Sequence, residues 1–175
     1  HELKDSIRDM IKSIKEKYEN GERPVSEDKP RILITGCPIG GVSEKIVKTL
    51  EESGAVVVAY ELCGGIRSNN ELVDENNPDP IDAIAKKYIN IACSCMSNND
   101  GRIELLDRLI DEYKVDGVID VILQACHTFN VESYRIKKFV NDVKHKPYMA
   151  IETDYSKSDT EQLRTRFEAF IEMID

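Results

Sequence analysis

The sequence predicts an α/β protein: a three-layer, Rossmann-like or flavodoxin-like domain in which helices cover both faces of a four-stranded parallel sheet. Three observations carry that expectation. Short β-branched runs alternate with amphipathic stretches, the pattern of successive strand–helix–strand units. The runs RILIT and AVVVAY are nearly continuously apolar, as strands become when helices lie on both sides of them. Turns rich in Gly, Cys or Asn follow the runs, where the chain leaves a strand for a helix. Right-handed crossovers then give the strand order 2-1-3-4 most simply.

The elements follow in order. Leu3, Ile7, Met10, Ile11, Ile14 and Tyr18 recur at helical spacing, so residues 2–18 form an amphipathic helix that needs a partner surface. Residues 19–30, ENGERPVSEDKP, are polar and read as a linker. Residues 1–28 are expected to be a helix and linker from the preceding part of a longer chain, and 29–175 the α/β domain. Strands are expected at Arg31–Thr35, Ala55–Tyr60, Gly117–Leu123 and Pro147–Ile151. Helices are expected at 41–53, 80–88, 101–114, 130–144 and 159–174, the last with Asp159 at its N-cap. Arg164 and Arg166 on that helix are expected to pair with Glu161 and Glu168.

The chain of 175 residues, 41% apolar, has material for one continuous core. A net charge of −9 and the lack of any Lys/Arg run exclude a nucleic-acid surface, which needs clustered cations to displace counterions from phosphates. No apolar stretch approaches the roughly 20 residues of a membrane span, and HELKDSIRDM lacks the apolar centre of a signal peptide. The expected location is cytoplasmic.

Three of the five cysteines fall where strands end. Cys37 follows the first strand in TGCPIGG, Cys63 the second in YELCGG, and Cys126 the third in LQACHTFN. In an open parallel sheet these loops line a shared crevice, which is where ligands bind. Thiolates from several loops suit a soft metal or an iron–sulfur cluster. The competing explanation is burial, since Cys is among the most buried residue types. Cys93 and Cys95, in ACSCM, lie on a connection between helices and read as structural. His127, Glu152 and Asp154 are candidates for the surrounding shell, though a histidine at a strand end also serves as a structural hydrogen-bonder. Asp120 lies within the third strand and is expected to pair inside the sheet layer. The turn Gly36-Cys-Pro-Ile-Gly-Gly is like a phosphate-binding turn, but lacks both GxGxxG spacing and a P-loop lysine.

The segments RILITGCPIGG, YELCGGIRSNNELVDE, YINIACSCM, DGVIDVILQACHTFNVESYRIK and IETDYSKSDTEQLRTRFEAFIEM together resemble the carboxyl-terminal part of the 2-hydroxyacyl-CoA dehydratase D-component family. TGCP and QACHTFNVES resemble its double-cubane branch more than the dehydratases proper. The resemblance implies α/β domains holding an iron–sulfur cluster between them, [4Fe-4S] or double-cubane [8Fe-9S], reduced by an ATP-hydrolysing iron–sulfur activator. It further implies one-electron transfer to a small molecule or to an acyl-CoA thioester. Carried over by position, Cys126 is the cluster cysteine, joined by Cys63 and Cys37 if two cubanes are held. The partners implied are a missing amino-terminal domain of the same chain, the activator and a homodimer mate. The isolated piece is expected to lack its cluster and its activity. A non-catalytic nucleotide- or CoA-binding domain, with only Arg67 and Lys157 as nearby cations, is the alternative from another class.

Overall fold

The computed structural model describes residues 2–96 and 98–174. Its centre is a four-stranded sheet in the order β2-β1-β3-β4, formed by β1 (Arg31–Gly36), β2 (Val56–Glu61), β3 (Gly117–Leu123) and β4 (Tyr148–Thr153). All three pairings are parallel. The expected order is thus the observed one, and all four carboxyl ends share one edge. A register irregularity between Ile32 and Leu33 is the one break in the β1–β2 ladder.

Before the sheet comes α1 (Glu2–Glu19), followed in the body by α2 (Ser43–Glu52), α3 (Ile66–Asn69), α4 (Pro80–Ile89), α5 (Asp100–Glu112), α6 (His127–Lys138) and α7 (Thr160–Glu172). Side chains alternate across each strand, so each face collects its own core. On one face Ile32, Ile34, Ile119, Val121 and Ile151 meet Ile46 and Leu50 of α2 and Phe167 and Phe170 of α7. On the other, Leu33, Ala59 and Val118 meet Leu105, Leu106 and Leu109 of α5 and Ile136 of α6. Each fully buried side chain of this kind stabilises the fold by roughly 1.5–3 kcal/mol.

Local chemistry sets the element ends. Pro80 occupies the first turn of α4, and Asp79 caps it by accepting from the N–H of Ile81 at 2.9 Å and of Asp82 at 3.2 Å. α6 begins at His127, three residues earlier than the periodicity suggests, and passes into a π-helical turn at Phe139–Val143. α3 is too short to show a period, and the sequence pattern does not predict it.

Two expectations are corrected, the second in part. Asp159 makes no side-chain cap on α7. Its carboxylate instead accepts from the buried ammonium of Lys45 at 2.7 Å and from Thr153 Oγ1 at 2.6 Å, fastening α2 to the tip of β4. Arg164 pairs with Glu52 at 3.0 Å, across to α2, as well as with Glu161 at 3.6 Å, and Arg166 donates to the Ala150 carbonyl at 2.8 Å. Cross-element partners win because α7 lies against α2 and the sheet. The amphipathic helix α1 forms as expected, but none of its residues is buried, so its apolar stripe is exposed within this chain.

Candidate functional site

At the tip of β1 the chain turns at Gly36, whose φ of +121° is a left-handed-side conformation natural to glycine. A Cβ there would stand 2.1 Å from the Val121 carbonyl oxygen, so only glycine lets β1 and β3 approach this closely. That approach draws Cys37 inward. Its N–H donates to Val121 O at 2.9 Å, its thiol donates to the same oxygen at 3.2 Å, and its sulfur accepts from the Leu123 N–H at 2.9 Å. Of the two readings of this cysteine, ligation and burial, Cys37 meets the second: it is 1% exposed. Burial pushes the thiol up from its ordinary value, against the Leu123 N–H, and the neighbouring Cys126 sulfur adds to the rise.

Cys63 and Cys126 leave the two strands that flank β1, and both are half-buried. Cys126 stands at the N-cap of α6, its sulfur 3.9 Å from Thr128 Oγ1. Thr128 Oγ1 also accepts from Ser94 Oγ at 3.2 Å, which ties the Cys93–Ser94–Cys95 connection to the start of α6. The Cys93 thiol pushes the Cys95 thiol up, and Cys63 adds a smaller push in the same direction. The connection read as merely structural thus lies alongside the strand tips. His127, the first residue of α6, is exposed, as are Glu152 and Asp154. The two carboxylates line a separate cleft of about 260 Å³ with Gln124, Ser158 and Asp159.

Beneath the tips of β1, β2 and β3 lies a layer of buried charge. Glu61 accepts from Arg67 through Nε at 2.5 Å and Nη2 at 2.8 Å, from Thr35 Oγ1 at 2.5 Å and from Arg102 Nε at 3.2 Å. Arg102 also donates to Thr35 Oγ1 at 2.7 Å and to Glu132, which accepts from Asn99 at 2.6 Å. Both guanidinium groups lie over the Phe129 ring, at 5.3 Å for Arg67 and 5.1 Å for Arg102. Burial works against the Arg67 charge, but the Glu61 carboxylate and Cys63 more than offset it and hold the group above its ordinary value.

Asp120 pairs within the layer as expected, though incompletely. Its Oδ2 accepts from Tyr148 at 2.9 Å, while Oδ1, 3.8 Å from Arg102, is buried with no hydrogen-bond partner. Desolvation pushes its carboxyl up, overcoming the opposing Arg102 charge and Tyr148 hydroxyl.

Sequence reasoning overlooked this layer, and a signal for it existed. Thr35 and Glu61, near the carboxyl ends of β1 and β2, and Asp120, in mid-β3 opposite Thr35, are polar positions in otherwise apolar strands, all facing the α5 and α6 side.

Among the described residues no group of three or more His, Cys, Asp and Glu side chains is arranged to hold a metal ion. Cys63 and Cys126 are soft donors of the kind that suits a soft metal or cluster, but the described residues of this chain do not close such a centre by themselves. No described helix is long and apolar enough to cross a membrane.

The family model for the 2-hydroxyglutaryl-CoA dehydratase D-component matches residues 1–174. The chain belongs to this D-component family. Its relatives include the YjiM protein of Escherichia coli (strain K12), named for a dehydratase subunit, with 52% identity over 94% of this chain and 42% of the relative. One of the subunits of benzoyl-CoA reductase from Thauera aromatica is 26% identical over 93% of this chain and 39% of its own length. The beta subunit of (R)-phenyllactyl-CoA dehydratase from Clostridium sporogenes is 28% identical over 96% and 42%. This D-component chain spans about two-fifths of the length of each.

Proposed function

We propose that this chain is the carboxyl-terminal, cluster-binding part of a D-component family subunit, acting in a low-potential reductase of the double-cubane kind. The observation that supports this best is the pair of half-buried thiols, Cys63 and Cys126, on the strands flanking β1 at the carboxyl edge of the sheet. When bound, an iron–sulfur cluster, [4Fe-4S] or double-cubane [8Fe-9S], supplies a carrier of single electrons at low potential. Cys126 is the first ligand assigned and Cys63 the second. Cys37 is the third, and it joins only by giving up its bonds to Val121 and Leu123. His127 flanks Cys126 at the rim. Glu152 and Asp154, at the tip of β4, bound the same edge and orient polar groups of a substrate there.

The remaining ligands come from the part of the family-length chain that this sequence does not span. An ATP-hydrolysing iron–sulfur activator delivers the electron, and the acceptor is a small molecule or an acyl-CoA thioester. The test is anaerobic loading of the family-length protein with iron and sulfide, followed by metal and sulfide counts for Cys63→Ser and Cys126→Ser. Loss of cluster from Cys126→Ser is expected. Undiminished iron in that variant would remove the assignment. The same counts separate a single cubane, as in a dehydratase subunit proper, from a double one.

One feature favours a different class of function. A cleft of about 300 Å³ among α3, α4 and α5 is bordered by Lys87 and Arg108, cations suited to the phosphates of a nucleotide or CoA. Calorimetry with CoA esters and nucleotides decides this: binding that persists when all five cysteines are replaced by serine would favour a non-catalytic binding domain.

A further inference from the structure

In the sequence Arg67 is only a loop cation four positions after Cys63. In the fold its guanidinium is fully buried, and its donors are used unevenly. Nε and Nη2 engage Glu61, and Nη2 also reaches the carbonyl oxygens of Gly36 and Glu61, each at 3.0 Å. Those bonds help to fasten the tip of β1 to the tip of β2. Nη1 is used differently: its partner is Cys63 Sγ, at 3.5 Å. A neutral thiol is a weak acceptor, and a buried cationic N–H that settles for one forgoes the stronger bond an oxygen would give. The arrangement is favourable when the sulfur carries negative charge, because the bond is then charge-assisted.

We propose that Arg67 is a positioning residue for Cys63: its Nη1–H holds the sulfur toward the crevice as a ligand and favours the reduced state of the cluster that sulfur helps to bind. The inference rests on the reading of Cys63 as a ligand. Reduction adds one electron and no proton to the cluster, so negative charge on the ligating sulfurs rises. An N–H···S bond from a fixed cation strengthens with that rise and moves the potential upward. The rest of the buried layer gives Arg67 its rigidity. Glu61 takes the fork of the guanidinium, Arg102 and Thr35 hold Glu61, and Phe129 closes the layer from α6.

The test uses family-length protein, loaded anaerobically and titrated with dithionite as the one-electron donor, with the midpoint read by electron paramagnetic resonance. Arg67→Lys and Arg67→Gln are expected to retain iron while their midpoints shift to more negative potential, further in Arg67→Gln. Wild-type midpoints in both iron-loaded variants would overturn the proposal. Because Arg67→Gln strips a partner from buried Glu61, a second measurement does not depend on folding of a variant. Wild-type protein grown with ¹⁵N-arginine should show a ¹⁵N hyperfine coupling to the reduced cluster, and its absence would also overturn the proposal. Cys63→Ser separates the two ideas. If that change leaves iron and potential unaltered, the ligand reading itself fails, whereas loss of iron there with unmoved Arg67 midpoints removes only the role of Arg67.

Discussion

The two faces of the sheet differ most at the carboxyl ends of the strands. Under α2 and α7 the layer is apolar across the middle of the sheet, with Ile34, Val121 and Ile151 against Ile46, Leu50 and Phe167, and its buried ion pair, Lys45 with Asp159, stands to one side at the tip of β4. Under α5 and α6 it begins just as apolar, with Leu33, Val118 and Leu106, and then turns ionic at Thr35, Glu61, Arg102 and Asp120, all of them inaccessible to solvent. Folding alone does not call for the second design, because well-packed apolar groups generally match or exceed buried ion pairs in stability. The ionic layer sits where the loops carrying Cys63 and Cys126 depart. The contrast therefore divides labour: one face holds the sheet together, and the other trades stability for fixed dipoles beside the strand tips.

The sharpest way to break that contrast is to remove Arg102. Arg102→Met takes from Glu132 its guanidinium partner and from Glu61 one of its two, and is expected to cost about 3–5 kcal/mol in urea denaturation. On the opposite face Leu50→Ala is expected to cost about 2–5 kcal/mol through lost transfer energy and a residual cavity. Their combination should be additive within about 0.5 kcal/mol, since the sheet separates the two sites. Arg102→Met with Glu132→Gln, by contrast, should couple by more than about 0.5 kcal/mol. Coupling across the sheet would show that the faces are not independent.

A smaller effect is expected at Asp120. Its carboxyl is raised by burial, so its contribution is fully present below the unfolded carboxyl value, about 3.9, and is lost as pH rises through the higher folded value. Asp120→Asn should match the wild type in acid and exceed it at neutral pH, because the amide keeps an acceptor for Tyr148 and never ionises. Parallel stability–pH curves for the two proteins would contradict the assignment. The smallest effect is expected on α1, where Ile7→Ser should change the stability of this chain by no more than about 0.5 kcal/mol, as read by thermal unfolding.

The sheet was legible in the sequence because its signal is redundant: four β-branched runs, their spacing and a right-handed connection rule all agree on the order 2-1-3-4. The cysteine-bearing tips were legible for the same reason. The direction of each thiol was not. Cys37 lies one residue past the close contact at Gly36, and that contact, between residues 85 positions apart, turns its sulfur inward. Arg102 was hidden by a different ambiguity, since an arginine on an amphipathic helix ordinarily reads as solvent-exposed. Only the polar residues at inward positions of β1, β2 and β3 announced that something charged had to meet them.

Phe129 gives this layer a mechanical meaning. The ring belongs to α6, three residues beyond Cys126, and rests on both guanidinium planes. Tilting the first turn of α6, whether to admit a docking molecule or to accommodate a bulky inorganic core, would unstack the aromatic plate from both cations. Movement at one lip of the mouth is thereby geared to the footing of the opposite lip at Cys63, through a single rigid ring.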